Sequence, residues 1–277
     1  MSKKRKVFIT VKTYPTLSRK YDELVCTAGI LDDGSWVRIY PLPFRKMDYE
    51  DRYKKYQWIE LSLIKNTSDS RPESHRVVDP ENIILGKVID TKNNWQERKS
   101  ILFDKNPIYT NRDELITKAH ANELSLAIFK PKKIIDFVVK EVEREHNADC
   151  LAHLTEQSKQ FSLFDIQSET EVETEFSRVN KLPYKFSYTF VDDIGKESTL
   201  MIEDWEIGAL YWNCLKACNN DEALAIQKVR EKYFGEFLKR DIYLFLGTTR
   251  QYHSWASNPF VIIGIFCPPI DNQLSIF

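Results

Sequence analysis

The stretch KVFITVKTY, Lys6 to Tyr14, alternates apolar and polar side chains, with β-branched residues among the apolar ones. A period of two divides side chains between the two faces of an extended strand and does not suit a helix. Leu24 to Ile30 (LVCTAGI) repeats the strand signal, Asp32-Asp33-Gly34 turns, and Trp36 to Tyr40 (WVRIY) completes a hairpin. Gln57 to Ile64 (QWIELSLI) supplies a fourth strand. Four short strands joined by polar loops predict a small antiparallel sheet or partly closed barrel, around which the rest of the chain has to fit.

Residues 111–124 have helical spacing, and Leu126 to Val142 reads as one or two strands, divided at Pro131, that return to the first sheet. From Glu143 to Arg178 sustained periodicity stops and acidity rises, which predicts an exposed connector with a short helix. Beyond it, Tyr184 to Val191 alternates as a strand, Asp192 to Gly195 turns, and Ser198 to Ile202 returns. Asp204 suits the N-cap of one helix, and Asp221 opens a second that runs through Phe237. The apolar runs Ile242 to Leu246 and Phe260 to Phe266 read as buried strands. The predicted class is α+β: a β-rich domain over residues 1–142, a connector over 143–180, a smaller α+β domain over 181–270 and a tail over 271–277.

Composition narrows the chemistry. Only 8 of the 277 residues are glycine, and neither GxGxxG nor GxxxxGK[ST] occurs, which argues against the two common phosphate-cradling nucleotide sites. Five cysteines, Cys26, Cys150, Cys214, Cys218 and Cys267, form no CxxC pair and point to reduced thiols in the cytoplasm. The basic start SKKRKV leads straight into the first strand and is neither a signal peptide nor a membrane span. Net charge is −1, yet residues 1–70 hold fourteen Lys and Arg against nine Asp and Glu, while 141–178 hold three against ten. The first part suits an anionic partner such as nucleic acid, and the acidic middle does not.

Within and just beyond that basic part, Arg38, Tyr40, Arg45, Lys46, Arg71 and Arg76 combine cations for phosphates with a ring for stacking, and are the expected nucleic-acid contacts. A solvated face with an ordinary strand tyrosine accounts for the same residues without a ligand. The catalytic candidates are Glu73 and His75, in the polar run SRPESHR, and Arg250 and His253, between the last two strands, as phosphate ligand and general acid or base. Glu203, Asp204 and Glu206 form a carboxylate cluster, but capping explains Asp204 and no PD-(D/E)xK spacing accompanies it. His146, Cys150 and His153, like Cys214 and Cys218, fall short of a zinc quartet, so no metal or cofactor is expected.

Two pentapeptides stand apart from all of this. The sequence ends Gln273-Leu274-Ser275-Ile276-Phe277, and Gln160-Phe161-Ser162-Leu163-Phe164 lies more than a hundred residues earlier. Such a pattern arises by chance in about one chain in a thousand of this length, and a pair is far rarer. Both resemble the motif by which bacterial proteins bind the sliding clamp of the replicative polymerase, in which Gln is followed by Leu, Ser or Asp, Leu and Phe. There the amide gives directional hydrogen bonds and two large apolar side chains fill a preformed cleft. The resemblance implies Gln273, Leu274, Ile276 and Phe277 as anchors of one copy and Gln160, Leu163 and Phe164 of the other. Ile276 and Phe161 stand where leucine is usual. The alternative for each is an apolar segment packed on its own domain. Outside the motifs, stretches such as WVRIYP and DWEIG resemble an uncharacterised bacterial family.

The expected partners are therefore the bacterial sliding clamp and DNA, with no membrane. The implied function is that of a DNA-associated protein recruited to the clamp, in genome maintenance or phage defence. The alternative is an enzyme acting on DNA, a nuclease or a base- or backbone-modifying enzyme, that uses the clamp for access to its substrate.

Overall fold

The computed structural model describes residues 3–15, 25–42, 52–144 and 180–271. Its first strand, β1 (Lys3–Lys12), is buried on both faces: Val7 and Ile9 pack in one core, Phe8 and Val11 in another. The chain continues through β2 (Val25–Leu31), β3 (Trp36–Leu42), β4 (Gln57–Lys65) and β5 (Ser74–Val77). The strands lie in the order β1-β2-β3-β5-β4, and β4 pairs back onto β1, closing a five-stranded barrel. Neighbours are antiparallel except β3 and β5, which run parallel. This order with its one parallel pair is the Greek-key connectivity of the oligonucleotide- and oligosaccharide-binding barrel. The barrel interior is filled by Val7, Ile9, Val25, Leu31, Val37, Ile39, Ile59 and Leu61. A sixth strand, β6 (Ile84–Val88), adds to the outside of β4.

Next comes α1 (Lys92–Phe103), whose first turn is unusual because Asn93, Asn94 and Trp95 all have positive φ. Asparagine tolerates the left-handed region, but tryptophan does not favour it. The Trp95 ring is held edge-on against Phe266 and Tyr56, with the Arg98 guanidinium over it. The chain then forms β7 (Ile108–Tyr109), α2 (Arg112–His120), β8 (Leu126–Phe129), β9 (Lys133–Glu141), β10 (Tyr184–Val191) and β11 (Glu197–Met201). It finishes with α3 (Trp205–Ala217), α4 (Glu222–Arg230), β12 (Tyr243–Thr248) and β13 (Phe260–Phe266). The expected caps are in place, with Asp204 and Asp221 accepting from the backbone N–H of Glu206 and Leu224 at 3.2 and 3.0 Å. The α+β class holds.

The second sheet has the order β13-β12-β8-β7, and the third β11-β10-β9. One face of the second sheet covers the outside of the barrel: Leu126, Ile128, Phe245, Ile263 and Phe266 meet Phe8, Val11, Ala28 and Ile30. Its other face, through Phe129, Leu244, Leu246 and Ile262, joins Phe186, Tyr188, Phe190 and the apolar sides of α3 and α4. Strands covered on both faces lose the polar half of their alternation, which is why β8, β12 and β13 read as continuous apolar runs.

Two expectations change. The 126–142 segment does not return to the first sheet, since β8 pairs with β12 and β9 with β10. The β9–β10 ladder begins at Glu141 opposite Tyr184, so residues 145–179 connect neighbouring strands of one sheet rather than two domains. Among the described residues, no helix is long and apolar enough to cross a membrane.

Gly29 marks the tightest approach in the barrel, where an added Cβ would run into the Phe8 carbonyl across the strand pair. No atom lies near the place of a Cβ at Gly235. Gly29→Ala is expected to cost about 1–3 kcal/mol through overpacking. Gly235→Ala should be neutral or slightly stabilising. Urea unfolding of both variants checks this, and equal midpoints would contradict it.

Candidate functional site

At one end of the contact between barrel and second sheet, polar side chains from five segments converge. Arg38 projects from β3 on the face opposite Val37 and Ile39, and is only 4 % exposed. Its Nη1 donates to the Thr248 carbonyl at 3.2 Å, and its Nη2 to the carbonyl and hydroxyl of Ser125, both at 3.1 Å. The β4–β5 connection supplies Arg71, which is 6 % exposed and donates to the same Thr248 carbonyl. Two guanidinium groups on one carbonyl repel each other, and the cluster answers with two carboxylates. Asp69 accepts from Arg71 Nε at 2.9 Å and Nη2 at 2.6 Å, and from the Ser74 hydroxyl at 2.9 Å. Glu73 accepts from the Ser125 N–H at 2.8 Å and its hydroxyl at 2.6 Å. Burial alone would raise the Asp69 carboxyl, but the Arg71 fork and the Ser74 hydroxyl hold it well below the ordinary carboxylate range.

The loop of residues 249–259, between β12 and β13, is rooted in this cluster by His253. The ring is 3 % exposed, with Nδ1 2.9 Å from the Thr248 hydroxyl and Nε2 2.9 Å from Asn122 Oδ1. Asn122 Nδ2 donates to the Ser70 carbonyl at 3.1 Å, so its oxygen faces the imidazole. Nε2 therefore carries the proton and Nδ1 accepts from Thr248. Burial first, then the nearby Arg71, pushes the imidazole below its ordinary value and keeps it neutral. Neither nitrogen is left for general-base work.

The outward side of the loop is different. Arg250 is exposed and has no ion-pair or hydrogen-bond partner among the described residues. Tyr252 is 42 % and Trp255 67 % exposed, their rings edge to face at 5.4 Å between centroids. The Trp255 Nε1–H is already bound to the Gln251 carbonyl at 2.7 Å, which fixes the indole and leaves its ring face to the solvent.

A second charged junction lies at the N-terminus of α3. Lys55, with 8 % of its side chain exposed, donates to Asp204 at 3.1 Å and Glu206 at 2.6 Å, joining the barrel to the helix cap. Burial pushes the Asp204 carboxyl up to about 6, while Lys55 draws the half-exposed Glu206 down. Two carboxylates of the 203–206 cluster, Asp204 and Glu206, thus hold a lysine, and among the described residues no group of three His, Cys, Asp or Glu is placed to hold a metal ion.

The expected sites sort as follows. Arg38 and Arg71 are corrected from nucleic-acid contacts to internal struts, because both are buried and their Nη groups are bound to the protein's own carbonyls, hydroxyl and carboxylate. Arg76 is exposed on β5 and Tyr40 half-buried on β3, whereas Arg45 and Lys46 lie outside the described residues. Glu73 and His253 belong to the cluster; His75 is half-buried with Nδ1 2.9 Å from the Glu73 carbonyl, and Arg250 faces solvent. Both clamp-like pentapeptides, with Gln160, Leu163, Phe164, Gln273, Leu274, Ile276 and Phe277, lie outside the described residues. Sequence reasoning missed Trp255 and Ser125. The signal for Trp255 was a large aromatic in the mostly polar run QYHSWASN.

Residues 109–277 match the model of a family described as a domain of unknown function (DUF8757), and residues 3–104 match another domain of unknown function (DUF8758). The two matches meet just after α1, well before residue 142. No curated protein matches the chain.

Two stability tests follow from the cluster. Asp69→Ala leaves Arg71 buried without its carboxylate and is expected to cost about 3–5 kcal/mol. Arg38→Met should cost less, because the Thr248 carbonyl keeps Arg71 and the Ser125 carbonyl keeps the Thr248 N–H at 2.9 Å. Denaturant unfolding ranks the two, and the reverse order would refute this account. The second test is pH. An imidazole whose folded pKa is depressed adds stability above its unfolded value of about 6.5, and that stability is lost as pH falls. Asp204 titrates in the same window with the opposite sign, so the test is a difference. The stability gap between the wild type and His253→Gln should shrink from pH 7 to pH 5, and a constant gap would contradict a ring held neutral.

Proposed function

We propose that this chain, which belongs to the DUF8757 family, is a DNA-associated bacterial protein held at the replication sliding clamp by its QLSIF and QFSLF segments. The observation that carries the reading is the pair of pentapeptides itself. The places where the chain leaves the described body support it. Arg144 and Asn180, which bracket the internal segment, are exposed, and so are Ile270 and Asp271, the last described residues.

Two motifs on one chain suit a ring-shaped partner with one cleft per subunit, since the second contact then forms at the effective concentration set by the first. The partner implies a cytoplasmic protein working in genome maintenance or defence against phage. The free thiols of Cys26, Cys214, Cys218 and Cys267 fit that compartment. An enzyme acting on DNA is the weaker reading, because Glu73 and His253 are engaged with Ser125, Thr248 and Asn122.

The test is a pull-down with purified clamp. The intact chain should be retained, a chain lacking residues 273–277 should lose most of its retention, and a chain with Gln160→Ala, Leu163→Ala and Phe164→Ala should lose part of it. Equal retention of all three, or of none, would sink the reading.

A further inference from the structure

We infer that the 249–259 loop is a contact for single-stranded nucleic acid, with an unpaired base stacked on Trp255 and a phosphate on Arg250. The inference rests on the DNA-associated half of the proposed function and names its contact; it does not depend on the clamp. The barrel cannot make this contact on the face such barrels ordinarily use, the outside of its second and third strands, because Ala28, Ile30 and Arg38 there are buried under the second sheet. The loop at the edge of that covering sheet lies beside the same barrel's β4–β5 connection, joined through Asn122 and Ser70.

Three features make the loop a recognition surface. It is preorganised: His253 anchors it, Thr249 N–H donates to the Pro259 carbonyl at 3.2 Å, and the Ala256 carbonyl lies 3.0 Å from His120 Nε2. An aromatic held rigidly and mostly in water has already lost the entropy that binding would otherwise cost. The indole N–H is satisfied internally, so Trp255 offers a ring face, which accepts any base without hydrogen-bond readout. Of the other exposed side chains of the loop, Gln251, Ser254, Ser257 and Asn258 are polar and uncharged, Tyr252 is a second ring beside Trp255, and Arg250 adds a cation with no ion-pair partner among the described residues. The cation favours a polyanion over a neutral sugar.

Binding of a labelled deoxythymidine homopolymer to the full chain, without clamp, tests this by fluorescence anisotropy. Trp255→Ala is expected to weaken binding about 5- to 150-fold, the value of one stacked base, while Trp255→Phe retains most of it. Arg250→Gln should weaken binding and lower the slope of log affinity against log salt by about one. A duplex of equal length should bind more weakly than the single strand. Unchanged affinity of Trp255→Ala, equal affinity for duplex, or no binding by the wild type overturns the inference. A chain that fails the clamp pull-down but binds the homopolymer through Trp255 separates this contact from the tether.

Discussion

The contact between the outside of the barrel and the β8-β12-β13 sheet sets the rest of the molecule. Phe8, Val11, Ala28 and Ile30 are each at most 1 % exposed, and a fully buried Ile or Phe contributes about 1.5–3 kcal/mol relative to an exposed one. That gain is available only if the covering sheet is itself buried behind, which the third sheet and the helices α3 and α4 provide. Barrel, sheet and helical layer are thus mutually dependent, and a change that loosens the middle sheet exposes apolar surface on both sides of it. The same contact removes the barrel face from service as a ligand site. A fold whose connectivity suggests oligonucleotide binding has given that surface to its own second half, so fold-level analogy would mislead about where a ligand sits.

Burial of Arg38 follows from that arrangement rather than from any demand of the barrel. Its side chain leaves β3 toward the covering sheet and meets two carbonyls at strand ends, Ser125 before β8 and Thr248 closing β12. Such a contact is directional where the surrounding apolar packing is not, and it fixes how far the sheet slides over the barrel. The cost is visible in Arg38 Nε, which has no hydrogen-bond partner among the described residues, and in the proximity of Arg71. Asp69 and Glu73 make the arrangement tolerable by bringing negative charge to the same place. Lys55 with Asp204 and Glu206 plays the corresponding part at α3, so polar pins from two separate segments set the orientation of an otherwise apolar contact.

Much of this could be read from local pattern. Alternation marked β1, a short apolar run marked β2, the Asp-Gly turn marked the β2–β3 hairpin, and capping aspartates marked α3 and α4. Pairing was less legible because a strand's pattern says which faces are apolar but not which strand lies beside it. Leu126 to Phe129 is a four-residue apolar run compatible with either sheet, and β9 meets β10 only across residues 145–179. α1 was not read from the sequence at all, and its first turn, three consecutive left-handed residues that include Trp95, is held by tertiary ring contacts rather than by propensity. Arg38 was misread for a different reason. Its face of β3 also carries Trp36, and the matching faces of β2 and β1 carry Ala28, Ile30 and Phe8. Apolar residues on both sides of these strands already signalled that the outer face was covered, and Arg38 had to be covered with it.

Covalent distance constrains how a ring-shaped partner and the folded body would sit together. Gln273 follows Asp271 by two residues, so at about 3.3–3.6 Å per residue the terminal motif begins within about 7 Å of the described surface. That surface point is defined: Asp271 is paired with Lys99 at 2.8 Å and bonded to Asn94, both on α1. A clamp held at Phe277 would therefore stand against the α1 side of the barrel. Gln160 is sixteen residues beyond Arg144, so chain length alone sets an upper limit of about 55 Å on its distance from the β9–β10 end of the third sheet. If the clamp is the partner, a contact through the terminal motif would hold the body near the ring, and the internal motif would then meet a second cleft at the effective concentration set by the first.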